Sequence, residues 1–137
     1  MRLIYAIGLL MPYTNTWVHE PYILRTTLTG LIIVDEVDGI MHDYLDILNQ
    51  QDAVYFILDF GRAATIPTTL LQVDSIIDVI HHTNTQWFAI VNPTGFDSNT
   101  TRLLVQDKVK IFDDKDKALG FLRGMVRLDT GTALDSD

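Results

Sequence analysis

Two stretches, "AVYFILDF" at 53–60 and "QWFAIVNP" at 86–93, run almost without polar interruption for the length of one strand each. A strand with one face in water alternates apolar and polar side chains, so a run that does not alternate has to be covered on both faces. That condition selects a sheet packed between helices, with parallel strands joined by helical crossovers. The residues around the two runs supply the helices. Val34, Val37, Met41, Tyr44, Leu45 and Leu48 recur at helical spacing up to about Asn49, and Gly39 weakens this helix without abolishing it. In "LLQVDSIIDVIHH", Leu70, Val73, Ile77 and Ile80 form the apolar face of a second helix. A short helix near Ser98 to Gln106, a strand "VKIF" and a final helix from about Lys115 to Val126 follow, with Asp113 and Asp114 placed to cap the last one. Ahead of all these, "NTWVH" and "YILRTTLTG" read as two strands joined by a tight turn at Glu20-Pro21. The expected fold is a single α/β domain: a mostly parallel mixed sheet with an N-terminal hairpin and four helices packed on it.

A chain of 137 residues, 47% of them hydrophobic, can bury the core this fold needs without metals or disulfides. Cysteine is absent, which removes thiol catalysis, zinc-thiolate sites and disulfide frameworks and is compatible with a reducing cytoplasm. The formal charge of -8 argues against nucleic acid and anionic membrane surfaces as partners. At the N-terminus, "MRLIYAIGLLM" lacks a small-x-small cleavage site and is too short to span a bilayer. Residues 1–10 therefore read as an extra strand, or as a leader ahead of a second start at Met11; residues 11–128 as the domain; and residues 129–137 as a polar tail. A chain starting at Met11 is expected to fold.

Ligands of open parallel sheets bind at the carboxyl ends of strands, which here means the segments opening at Asp59 and Asn92. The first, "LDFGRAATIPTTL", is not a phosphate loop: GxxxxGK[ST] is missing and Gly61 stands alone. Thr69-Leu70-Leu71-Gln72 matches a capping box, so Thr69 starts the second helix, and a phosphate there would meet unsatisfied amides and the helix dipole. Asp59 beside Arg62 reads as a structural ion pair before it reads as a base. Asp74, Asp78 and His82 lie along one side of the second helix, but a linear strip cannot surround an ion, and no metal or other cofactor is expected. Asp35, Asp38, His42 and Asp46 mark the solvent face of the first helix. None of Ser75, Ser98 and Ser136 sits in GxSxG, so no catalytic residue is assigned. Gly120 and Gly124 share one face of the last helix, read as its solvent side.

From Trp17 to Met125 the chain resembles the STAS-like domains, the fold of bacterial anti-sigma factor antagonists, in its small stand-alone members. Three stretches carry the resemblance: "YILRTTLTG", "VYFILDFGRAATIPTTL" and "VKIFDDKDKALGFL". It implies a non-catalytic regulatory module of the bacterial cytoplasm that binds a protein partner. The family's Asp-Ser-Ser-Gly, whose serine is phosphorylated, falls on Pro67, Thr68, Thr69 and Leu70 when laid on without gaps from Asp59. Both hydroxyl positions survive; the acid and the glycine do not. The recognition segment this implies holds Thr65, Thr68 and Thr69. The alternative is a small-ligand sensor, for a nucleotide or an apolar molecule, using Asp59, Gly61, Arg62, Asn92 and Thr94. A homodimer is as compatible with the sequence as a monomer.

Overall fold

The central apolar run becomes the middle strand of a five-stranded sheet. The computed structural model describes residues 13–31, 34–65, 74–91 and 108–134. Along the chain these form β1 (Tyr13–His19), β2 (Ile23–Leu31), α1 (Val34–Leu48), β3 (Val54–Thr65), α2 (Asp74–His81), β4 (Thr85–Val91), β5 (Val109–Phe112) and α3 (Lys115–Thr130). The sheet order is β1-β2-β3-β4-β5. β1 runs antiparallel to β2 across a turn with a cis Glu20-Pro21 bond, and the other neighbours are parallel. Among the described residues there are three helices; the expected helix at Ser98 to Gln106 lies outside them.

Both faces of β3 and β4 are covered, as their unbroken apolar runs demand. On one side α1 and α2 enclose Leu24, Leu28, Phe56, Leu58, Phe88 and Ile90, with Tyr44 stacked on Phe56 at 4.2 Å between ring centroids. On the other, α3 brings Ala118, Leu122 and Val126 onto Ile23, Tyr55, Ile57, Ala89 and Val91. Trp87 and Phe112 close this second layer against Phe121, Trp87 meeting it edge-on at 5.0 Å.

Three expectations need correction. The apolar face of α2 is formed by Ile76, Val79 and Ile80, while Ile77 is 42% exposed. Ser75 is buried beside them because its hydroxyl has a partner on α1, which turns the helix away from the phase its isoleucines suggested. α3 does not stop at Val126. It runs to Thr130, where the Thr130 hydroxyl donates to the Val126 carbonyl and Gly131 ends the helix at φ 76°. The supposed tail from 129 onward is thus partly fold, for Asp129 accepts a hydrogen bond from Tyr55 and Leu134 packs on the second layer. Thirdly, β3 continues well past Asp59, as described below. Gly120 and Gly124 are both exposed on α3.

At the other end of α3, Asp114 Oδ1 accepts from the amides of Asp116 (2.7 Å) and Lys117 (3.0 Å). Asp114→Ala removes this cap and is expected to cost about 1 kcal/mol, within the 0.5–2 range for such caps. Asp113→Ala, which removes an exposed i,i+4 pair with Lys117, is expected to cost less than about 0.5 kcal/mol. Urea midpoints of the two variants check the contrast.

Candidate functional site

The carboxyl end of the parallel strands is shaped by irregular pairing between β2 and β3. Thr27 pairs with Asp59 and Thr29 with Arg62, so β3 spends Phe60 and Gly61 opposite the single residue Leu28. The irregularity repeats one step on, where Gly30 pairs with Ala63 and Leu31 with Thr65. Extra residues of this kind bend a strand and leave backbone groups without ladder partners. One is recovered locally: the Gly61 amide donates to Asp59 Oδ1 at 2.8 Å. Asp59 is accordingly buried, and its carboxylate shapes the strand instead of waiting as a free base.

Asp59, Gly61, Arg62 and Thr65 therefore belong to one strand and not to a loop opening at Asp59. Gly61 is exposed, and Arg62 and Thr65 are held by backbone pairing to Thr29 and Leu31. A glycine followed by an arginine reads as the end of a strand; the pairing survives because the bulges absorb the mismatch. Thr68, Thr69, Asn92 and Thr94 lie outside the described residues.

A second polar cluster joins the amino-terminal turns of α1 and α2. Ser75 donates to Asp38 Oδ1 at 2.6 Å, and His42 Nδ1 lies 2.9 Å from the Asp38 carbonyl and 3.4 Å from Asp38 Oδ2. Asp38 thus reaches toward α2, while Asp35, His42 and Asp46 are exposed, in keeping with the solvent-face reading of the first helix. The chemical order is hydroxyl, carboxylate, imidazole. A serine nucleophile needs the imidazole between the other two, to take its proton, so this cluster ties helices together and does not activate Ser75. Its signal in the sequence was weak, because Asp38 and Ser75 stand far apart in the chain.

Just past α2, His82 Nδ1 accepts from the Asn84 amide at 3.1 Å, which shapes the turn into β4. Among the described residues no three His, Asp or Glu side chains stand close enough to hold a metal ion. No helix among them is long and apolar enough to cross a membrane.

The opposite end of the sheet is tied by tyrosine. Tyr55 donates to Asp129 Oδ2 at 2.8 Å, and Arg123 Nε donates to His19 Nε2 at 3.0 Å. Burial raises the pKa of Tyr55, and the bond to the Asp129 carboxylate raises it further. Burial likewise raises Tyr44, while burial and then Asp43 raise Tyr13. The folded chain holds these protons after the unfolded chain, with tyrosines near 10, has begun to release them. This stabilisation is complete below about pH 10 and is lost as pH rises through the folded values. Melting temperature is expected to fall steeply above about pH 10, and less steeply in Tyr55→Phe. A pH series of melting curves checks it.

No family model matches the sequence, and neither does any curated protein. Solved structures do match. The anti-sigma factor antagonist SpoIIAA in its unphosphorylated form aligns with a TM-score of 0.59 at 16% identity, over 82% of this chain and 98% of that one. The Bacillus cell fate determinant SpoIIAA in its phosphorylated form gives 0.57 at 11% identity, over 81% and 99%. An uncharacterised protein of the DUF3478 family from Shewanella loihica, itself described as having a SpoIIAA-like fold, gives 0.52 at 13%, over 80% and 91%. The chain has the STAS-like fold.

Proposed function

We propose that this chain is a non-catalytic regulatory module of the anti-sigma factor antagonist type, acting by binding a protein partner through the carboxyl end of β3 and the segment that follows it. The observation that carries the reading is the fold shared with SpoIIAA over nearly the whole of that protein. Two features support it. Asp59 is engaged by its own strand, and the Ser75 cluster lacks the order that nucleophilic catalysis needs. The recognition surface runs from Gly61 through Arg62 and Thr65 to Thr68 and Thr69, in a protein of the bacterial cytoplasm.

Thr69 is the preferred phosphate acceptor on this reading, since the charge of about -1.5 to -2 would rest at a helix start. Thr69→Ala is expected to cost about 1 kcal/mol by loss of the capping hydroxyl, and Thr68→Ala less. Intact-mass measurement of protein from its native cell, with melting curves of both variants, checks these expectations. An unmodified chain whose two variants melt like wild type removes both the cap and the switch. The module itself is tested by native capture with mass spectrometry. A recurrent protein that binds the purified chain directly supports it; a stoichiometric small molecule with no protein partner favours a ligand sensor instead.

A further inference from the structure

We propose that Arg25 anchors a site for a small oxyanion on the part of the sheet beyond α3, the helix that covers this face among the described residues, with the hydroxyls of Thr16 and Thr27 completing it. Leu24 and Leu28 of β2 point into the layer under α1 and α2, so Arg25 and Thr27 project from the opposite face. Thr16 stands directly across from Arg25 on β1, and Thr14 across from Thr27. α3 covers this face over β3, β4 and β5, and Thr14 and Thr16 are exposed beyond it.

Arginine on a sheet surface ordinarily lays its stem on apolar neighbours and keeps its charged end in water. Arg25 departs from this: its Nε is buried and has no hydrogen-bond partner. On the same face, Asp59 is across from Thr27 on β3 and its Oδ1 accepts from the Gly61 amide. The ion pairs among the described residues join His42 to Asp38 and Lys117 to Asp113, and neither involves Arg25. The Arg25 Nε–H is thus enclosed without an acceptor, on a guanidinium that makes no ion pair among the described residues.

Its less enclosed Nη edge offers two parallel donors, the geometry that carboxylate and phosphate accept bidentately. A residue directly across the ladder and one two positions along the same strand lie about 5–8 Å away, within reach of an oxyanion's other oxygens. The formal charge of -8 opposes long-range attraction of any anion, so binding has to come from these local donors. That dependence predicts selectivity for oxyanions over chloride.

The test is a titration of the full chain with inorganic phosphate, and separately with acetate, read by amide shifts at Thr16, Arg25 and Thr27 and by the Arg25 Nε–H signal. Sodium chloride at equal ionic strength is the control. Saturable shifts with either oxyanion, absent with chloride and weakened about tenfold or more in Arg25→Gln, are expected. A response to phosphate alone assigns the site to phosphate groups; one to acetate alone assigns it to carboxylates. The proposal is overturned by no saturable shift, by an equal chloride response, or by unchanged affinity in Arg25→Gln. Should that variant fail to melt cooperatively, Thr16→Val, at an exposed position, takes its place, and unchanged affinity there overturns the proposal equally.

Discussion

Phe56→Ala is expected to cost about 3–5 kcal/mol, the range for emptying a fully buried aromatic site. Phe56 is wholly buried on the central strand, stacked on Tyr44, with Phe88 on the adjoining strand 6.0 Å away between centroids. The three rings join β3, β4 and α1 within the layer under α1 and α2. Phe56→Leu keeps most of the volume and should lose less than half as much. Most single domains are stable by only about 5–15 kcal/mol, so the alanine variant stands near the edge of folding. Denaturant unfolding of the two variants beside wild type measures the difference. Equal losses would mean that the rings do not form the centre of this core.

The second large effect concerns a buried hydroxyl. Thr26 donates to Asn15 Oδ1 at 2.5 Å, and with its single proton spent there it accepts from the Tyr44 hydroxyl. Asn15 Nδ2 and the Tyr13 hydroxyl then reach Asp43 Oδ2, at 3.4 and 3.3 Å. The chain of bonds fastens β1 and β2 to α1. Thr26→Val keeps the shape and the strand preference but leaves the Tyr44 hydroxyl buried without an acceptor, at an expected cost of about 1–3 kcal/mol. Removing that hydroxyl as well, in Thr26→Val with Tyr44→Phe, should recover part of the loss, because no donor is then stranded. A double-mutant cycle by denaturant unfolding reads the coupling. Strict additivity would show that the two side chains do not depend on each other.

Most of the architecture was legible because its strongest signals are hydrophobic and local. The runs at Val54 and Trp87 could only be strands covered on both sides, and Val37, Met41, Tyr44 and Leu48 mark the buried face of α1 directly. The departures lie where a polar residue is held by a distant partner. Ser75 shifts the phase of α2 because Asp38 accepts its hydrogen bond, and Asp129 reads as tail because Tyr55 lies 74 residues away. The end of α3 was missed although Gly131 supplied the usual C-terminal glycine signal. The site was less legible than the fold. Asp59 reads in the sequence as a partner of Arg62, but the carboxylate's engagement with the Gly61 amide of its own strand depends on bulges, which follow from register and leave no periodic trace. Arg25 carried no sequence signal, since an arginine in a polar strand is unremarkable until its neighbours are known.

The function proposed above makes the carboxyl end of β3 a surface for a protein partner. It is tested most directly by capturing the partner on the wild-type chain in native lysate and then measuring its affinity for purified wild type, Gly61→Arg and Lys115→Glu. Gly61 is exposed at the proposed surface, whereas Lys115 is exposed at the start of α3. Gly61→Arg, still folded by its melting curve, is expected to weaken the partner about tenfold or more while Lys115→Glu leaves it within about twofold, as expected for a charge outside an interface. A partner that binds the folded Gly61→Arg variant as tightly as wild type would contradict the proposed function.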